Sequence, residues 1–201
     1  MLCISTAWAL QGLWAAPWLA DVEILQRPYV VRHLFVMAIA LSAGALLLGI
    51  IADRFGKRGI GPDTMLAATA CLFVVAELSL ILGLPAAATS YGAYASYAAW
   101  AVIAGVGAAT VLSYSILGDC FPKEIAGQAN AALNLLHIGG AFVLQEAIGL
   151  IINRWPSLGG HYPPLAYKTA FALIVLLQIG GIIWFVPALR MAPEPQSQPA
   201  E

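Results

Sequence analysis

Charge is what this chain has least of. Asp, Glu, Lys and Arg make up 9% of its 201 residues, against roughly a quarter in an ordinary soluble domain. With 61% hydrophobic residues and a mean hydropathy of +0.86, a water-soluble globule is excluded. The net charge of −1, with no basic patch interleaved with aromatics, gives a nucleic acid nothing to hold. Cysteine is nearly as scarce. Cys3, Cys71 and Cys120 lie in or beside apolar runs without C-x-x-C or Cys/His spacing, so they read as small buried hydrophobes, and neither a metal nor a cofactor is expected. Residue alternation of the kind barrel strands need is also missing, which leaves helices as the way to satisfy backbone groups in lipid. Finally, Ser42, Ser79, Ser113 and Ser115 lack the glycine frame of a serine nucleophile, so no catalytic residues are assigned and an intramembrane protease is disfavoured.

What the chain does have is six apolar segments, at about 1–19, 33–52, 64–84, 92–118, 127–152 and 167–187. Each is close to the ~20 residues a helix needs to cross a bilayer. The expected fold class is therefore an all-α membrane protein with six transmembrane helices in one domain, residues 1–189. Residues 190–201, rich in Pro, Gln, Ser and Glu, are expected to form a disordered tail. The first segment begins without a polar or basic flank, and Pro17 sits badly for signal-peptide cleavage. The chain thus reads as starting inside a helix, as a truncated product or a fragment would.

Between the second and third segments, Gly49-Ile50-Ile51-Ala52-Asp53-Arg54-Phe55-Gly56-Lys57-Arg58-Gly59 packs three of the nine Lys and Arg residues into a tight turn. Such a turn clips two spanning helices together at a membrane face. The stretch closely resembles the signature loop G-x-x-x-D-R-x-G-[RK]-[RK] of major facilitator superfamily transporters, with Gly49, Asp53, Arg54, Gly56, Lys57 and Arg58 in register. After the fourth segment, Asp119, Pro122, Glu124 and Gly127 resemble that family's acidic-x-x-P…R-G turn, although Ala126 stands where Arg is usual. The resemblance implies one six-helix half of such a transporter, more in keeping with the C-terminal half. It also implies that the Asp53–Arg58 loop gates alternating access, with Asp119 and Glu124 as the nearest acidic partners.

Placing that loop in the cytoplasm puts five basic residues inside and four outside, a shallow positive-inside bias, with both termini cytoplasmic. The resemblance implies a bacterial inner membrane. A second hint is internal: Gly49–Phe55 and Gly149–Trp155 share three of seven residues and close the second and fifth segments on opposite faces. Inverted three-plus-three repeats have that arrangement.

The polar residues inside apolar segments supply the remaining candidates. Asn130, Asn134, His137 and Gln145 fall within a sector of about 80° on the fifth helix, so they are expected to face a wet cavity or another helix. Glu77 is the acid within the third segment and a candidate for proton coupling, with a neutral, hydrogen-bonded Glu as the alternative. Family resemblance places the first and fourth segments along the solute path, making Trp8 and Gln11 candidate contacts. Trp14, Trp18 and Trp155 read as either cavity or interfacial-belt residues.

The expected function is movement of a small solute by alternating access, by secondary active transport. One half supplies one wall of a cavity, so the expected partners are a missing N-terminal half, a separate half or a second copy, besides the bilayer itself. The alternatives are a six-helix uptake subunit that needs other proteins, or an inactive truncated membrane protein.

Overall fold

The computed structural model describes residues 2–84 and 92–189. The expected tail at 190–201, the connector at 85–91 and the Asp119 side chain lie outside the described residues. The architecture is all-helical, and no strand occurs among the described residues. In chain order come α1 (Leu2–Ala9), a π-helical turn (Leu10–Trp14), α2 (Ala15–Asp21), α3 (Arg27–Gly56), α4 (Pro62–Ile81), α5 (Gly92–Gly107), α6 (Thr110–Cys120), α7 (Lys123–Ile152) and α8 (Pro164–Leu189). Among the described residues, five stretches are long and apolar enough to cross a membrane: Arg27–Gly56, Pro62–Ile81, Tyr94–Gly118, Lys123–Ile152 and Pro164–Phe185.

The first expected span is also helical, but it is not a single α-helix. Pro17 has no N–H to give the Leu13 carbonyl, and the ladder widens in the turn just before it, where the Ala15 N–H reaches back to the Leu10 oxygen. The fourth expected span, 92–118, is likewise divided. At Ala108 and Ala109 the N–H groups bond three residues back, to Gly105 and Val106, a tightening that follows Gly105-Val106-Gly107. Helix starts are set by proline at the first or second position of α3 and α4, where the missing N–H costs nothing. Helix α3 runs past both expected bounds and α7 begins four residues before its expected start, giving 30 residues each.

The segment formed by α1, the π turn and α2 lies at the centre, in contact with α3, α4, α5, α7 and α8. Around it α3 packs along α5, α1 along α7, and α4 on both α5 and α8. Trp18 is 1% exposed. It stacks on Phe171 at 4.6 Å and meets Trp100 and Tyr167 edge-on at 6.3 Å each. Trp18 is therefore a core residue and not part of an interfacial belt; its ring sits where the first, fourth and sixth segments meet. The outer surface is apolar instead: Phe35, Ile39, Leu46 and Leu47 of α3, and Leu135, Leu136, Phe142 and Val143 of α7, are all exposed. A surface of that kind suits lipid and would aggregate in water.

One close crossing decides how α3 meets α5. A Cβ built on Gly44 would lie 2.8 Å from the Gly105 carbonyl oxygen, whereas one on Gly139 meets nothing within 4 Å. Small residues let helices approach in this way where lipid supplies no hydrophobic drive for association. Gly44→Val is expected to cost about 1–3 kcal/mol through overpacking, and Gly139→Ala almost nothing. Melting midpoints of the purified variants in nanodiscs would check both.

Candidate functional site

Three groups of polar side chains stand out against this apolar frame. The first is the charged turn. Helix α3 continues through Asp53 and Arg54 to Gly56, so the turn proper covers only 57–61. The Ile60 N–H bonds the Phe55 oxygen at 3.0 Å, and Gly59 adopts φ +78°, a helix stop that only glycine makes without strain. Asp53, Arg54, Lys57 and Arg58 are all exposed. The Arg58 guanidinium lies 5.9 Å from the centre of the Phe55 ring, and none of the four is in an ion pair with a described residue. Glu124 at the start of α7 is exposed and in no ion pair with a described residue, and Pro122 and Gly127 beside it are exposed too. Glycines 49 and 56 have open space where a Cβ would be, so tight packing does not account for either residue.

The second group joins the first segment to α5, α6 and α7, and it collects most of the polar residues singled out from the sequence. Ser5 Oγ and His137 Nδ1 share a buried hydrogen bond of 3.1 Å. The Trp8 ring stands edge-on to His137 at 6.0 Å. Its Nε1–H donates to the Gly107 carbonyl at 3.1 Å, and Thr110 Oγ1 donates to that carbonyl as well. This carbonyl is free because the helix is broken one residue later. Gln11 lies in the π turn with its amide against Gly107: a Cβ there would come within 3.0 Å of Gln11 Nε2. That buried nitrogen has no hydrogen-bond partner.

Gln145 Nε2 lies beside Gly12, and the Gln145 carbonyl accepts from Trp14 Nε1–H at 3.2 Å. Asn134 is exposed and accepts from Tyr114 OH at 2.8 Å. Asn130 Oδ1 and Ser113 Oγ are buried without partners. The polar stripe of α7 thus faces the first segment and α6 along most of its length. Trp8, at 42% exposed, together with Leu13 and Asn134, leaves this face open. An apolar crevice of about 290 Å³ lies elsewhere, among Cys3, Ile4, Leu66, Thr69, Trp184 and Phe185, and takes in none of these polar groups.

Glu77 is separate from both groups. It is fully buried between α4 and α8, where Gln178 Nε2–H donates to its Oε2 at 2.7 Å. Gln178 was not anticipated, yet an isolated amide in the apolar run of α8 was a readable signal of a buried partner.

The third group, also missed by sequence reasoning, ties the opposite end of the bundle together. The Asp21 carboxylate, 7% exposed, accepts from His161 Nδ1 at 2.6 Å, Tyr167 OH at 2.6 Å and the Tyr162 backbone N–H at 3.1 Å. The Tyr162 hydroxyl in turn donates to Asn153 at 2.5 Å. Nearby, Glu23 accepts from Trp18 and from Ser96, whose oxygen lies 3.5 Å from His33 Nε2. No spacing in the sequence links residues 21, 161 and 167. Burial works to raise the Asp21 carboxyl, but the three donors outweigh it and hold it below the usual carboxylate value.

These features define an all-helical protein with the apolar surface and helix lengths an integral membrane protein requires. No family model, curated protein or solved structure matches the chain.

Two measurements follow from this geometry. Single cysteines in a background lacking Cys3, Cys71 and Cys120 should react with a polar thiol reagent at position 134 and stay protected at 137. Asp21 has a depressed folded pKa, so its contribution is complete above the unfolded value of about 3.9. It is lost as pH falls through the folded value. Asp21→Asn should therefore lower stability at neutral pH and flatten its decline below about pH 4, as read from denaturation midpoints across that range.

Proposed function

We propose that this chain is one six-helix half of a solute transporter of the major facilitator kind, moving a small organic molecule by alternating access. The observation that carries the reading is an exchange symmetry in the helix contacts. Count α1 with the π turn and α2 as the first segment, α3 as the second, α4 as the third, α5 with α6 as the fourth, α7 as the fifth and α8 as the sixth. The first packs on the fifth as the fourth packs on the second. The third packs on the fourth as the sixth packs on the first, and the third and sixth pack on each other. Swapping the first three segments for the last three reproduces these five pairings, as in an inverted repeat, although the contact of α1 with α4 has no counterpart between the fourth segment and α8. The equal 30-residue lengths of α3 and α7 agree with it.

In this reading the first and fourth segments form one wall of the solute path, where the π turn and the break at Ala108 lie side by side. Trp8 and the exposed Asn134 offer an aromatic surface and a hydrogen-bonding amide to a small polar solute, while the Gln11 amide nitrogen, buried and without a partner, lies against Gly107. A second wall comes from another half: a missing N-terminal half, a separate chain or a second copy. The turn holding Asp53, Arg54, Lys57 and Arg58 presents unpaired charges to that partner, and pairs that form in one state and part in the other would bias the rocking motion. An energising ion gradient makes this secondary transport across the bacterial inner membrane, with the charged turn and both termini on the cytoplasmic side.

Proteoliposomes carrying the purified chain, with any half that co-purifies, would test the proposal. Uptake of a panel of labelled organic acids, amines and sugars under a pH gradient should exceed that of empty vesicles. Asp53→Asn should slow it by about tenfold or more, a barrier change of roughly 1.4 kcal/mol, at unchanged abundance. Equal losses of rate and abundance would make the turn a folding element. Failure of every solute in assembled samples would remove the transport reading.

A further inference from the structure

The contact between Glu77 and Gln178 contains a contradiction as long as Glu77 is drawn as a carboxylate. Both residues are fully buried, and Gln178 Nε2–H donates to Glu77 Oε2 at 2.7 Å. The other oxygen of each residue, Glu77 Oε1 and Gln178 Oε1, is buried with no partner. A carboxylate and an amide carbonyl are both acceptors only, so one residue's spare oxygen cannot satisfy the other's. No cation compensates a charge at this position: the one ion pair among the described residues is His161–Asp21. The titratable group that interacts with Glu77 from a neighbouring element is the Cys3 thiol on α1.

We infer that Glu77 is a neutral carboxylic acid locked with Gln178 in a reciprocal acid–amide pair that joins α4 to α8. One proton on the spare carboxyl oxygen gives that oxygen an O–H to donate and gives the spare amide oxygen a donor to accept from. Both orphaned atoms are then satisfied by each other's residue. The conclusion does not depend on which way round the amide is drawn. Exchanging its nitrogen and oxygen would set a carbonyl 2.7 Å from a carboxyl oxygen, a contact that again requires a proton between them. An eight-membered hydrogen-bonded ring of this type uses every strong donor and acceptor of the two head groups except the second amide hydrogen. It suits a site where water does not compete. The pair stands between the third and sixth segments, away from the open face that carries Trp8, Leu13 and Asn134. It acts as a neutral clamp on that side of the bundle and does not exchange its proton with a solute path.

Infrared spectroscopy of the full chain in nanodiscs, with glutamate carboxyl carbons isotopically labelled, tests this directly. At neutral pH the wild type should show an isotope-shifted C=O stretch of a protonated carboxylic acid, absent from Glu77→Gln. A spectrum with only carboxylate stretches would overturn the assignment without any variant having to fold. Thermal melting supplies a second readout. Glu77→Gln keeps an amide able to pair reciprocally with Gln178 and should melt near the wild type, while Glu77→Leu and Gln178→Leu should each melt at clearly lower temperature. If Glu77→Gln falls as far as Glu77→Leu, the neutral pair is refuted.

Discussion

Hydrocarbon offers a polar group no hydrogen bonds, so each such group inside this bundle has to find its partner in the protein. That demand explains why the first segment occupies the centre. It is joined to α7 by Ser5–His137 and by the Trp14 N–H on the Gln145 carbonyl, and to the end of α5 by Trp8 on Gly107. At its C-terminal end Asp21 gathers three donors from the start of α8 and the turn before it. Apolar contact alone discriminates weakly between helices in lipid, because a neighbour's leucine is no better a solvent than an acyl chain. The directional polar contacts and the small-residue crossing at Gly44 and Gly105 are therefore what select one arrangement of these helices over others.

Two defects in the helical ladder lie against each other, and both are used. Widening before Pro17 places Gln11 and Gly12 in a π turn, and tightening after Gly107 leaves a carbonyl free of the ladder. Trp8 and Thr110 take up that carbonyl, and the Gln11 amide lies over the same glycine. Irregular backbone within a membrane is tolerated where it is enclosed by protein or lines a cavity. The site on which the transport proposal rests is thus also the part of the bundle with the least regular backbone.

The two ends of the bundle are held differently. Around Asp21, Glu23, His161 and Tyr167 the side chains are bonded to one another and tie three segments together. At the other end, the turn after α3 presents Asp53, Arg54, Lys57 and Arg58 to the surface with no described ion-pair partner. The bonded cluster and the unpaired charges thus lie at opposite ends of the bundle. The Glu77–Gln178 contact adds a third tie, between α4 and α8, on the side away from the open face.

Much of this could be read in advance. Scarcity of charge and six apolar runs led to an all-helical membrane architecture, because length and hydropathy are one-dimensional quantities that a bilayer tests one segment at a time. The polar stripe of α7 was visible as a face, since helical periodicity alone sets it. Its destination was not: His137 turns to Ser5 and Trp8, while Asn134 stays open beside Tyr114. Pro17 hinted at an irregular first segment but not at a π turn. Trp18, ambiguous between belt and core, became the centre of an aromatic cluster only when residues 100, 167 and 171 came around it. Sequence by itself determined which segments are helical and which side chains would need a partner, because those depend on local composition and on transfer from water. Tertiary structure alone decided who the partners are, Gln178 for Glu77 and His161 with Tyr167 for Asp21. Such pairs join residues more than 100 positions apart, and only packing in three dimensions brings them within reach.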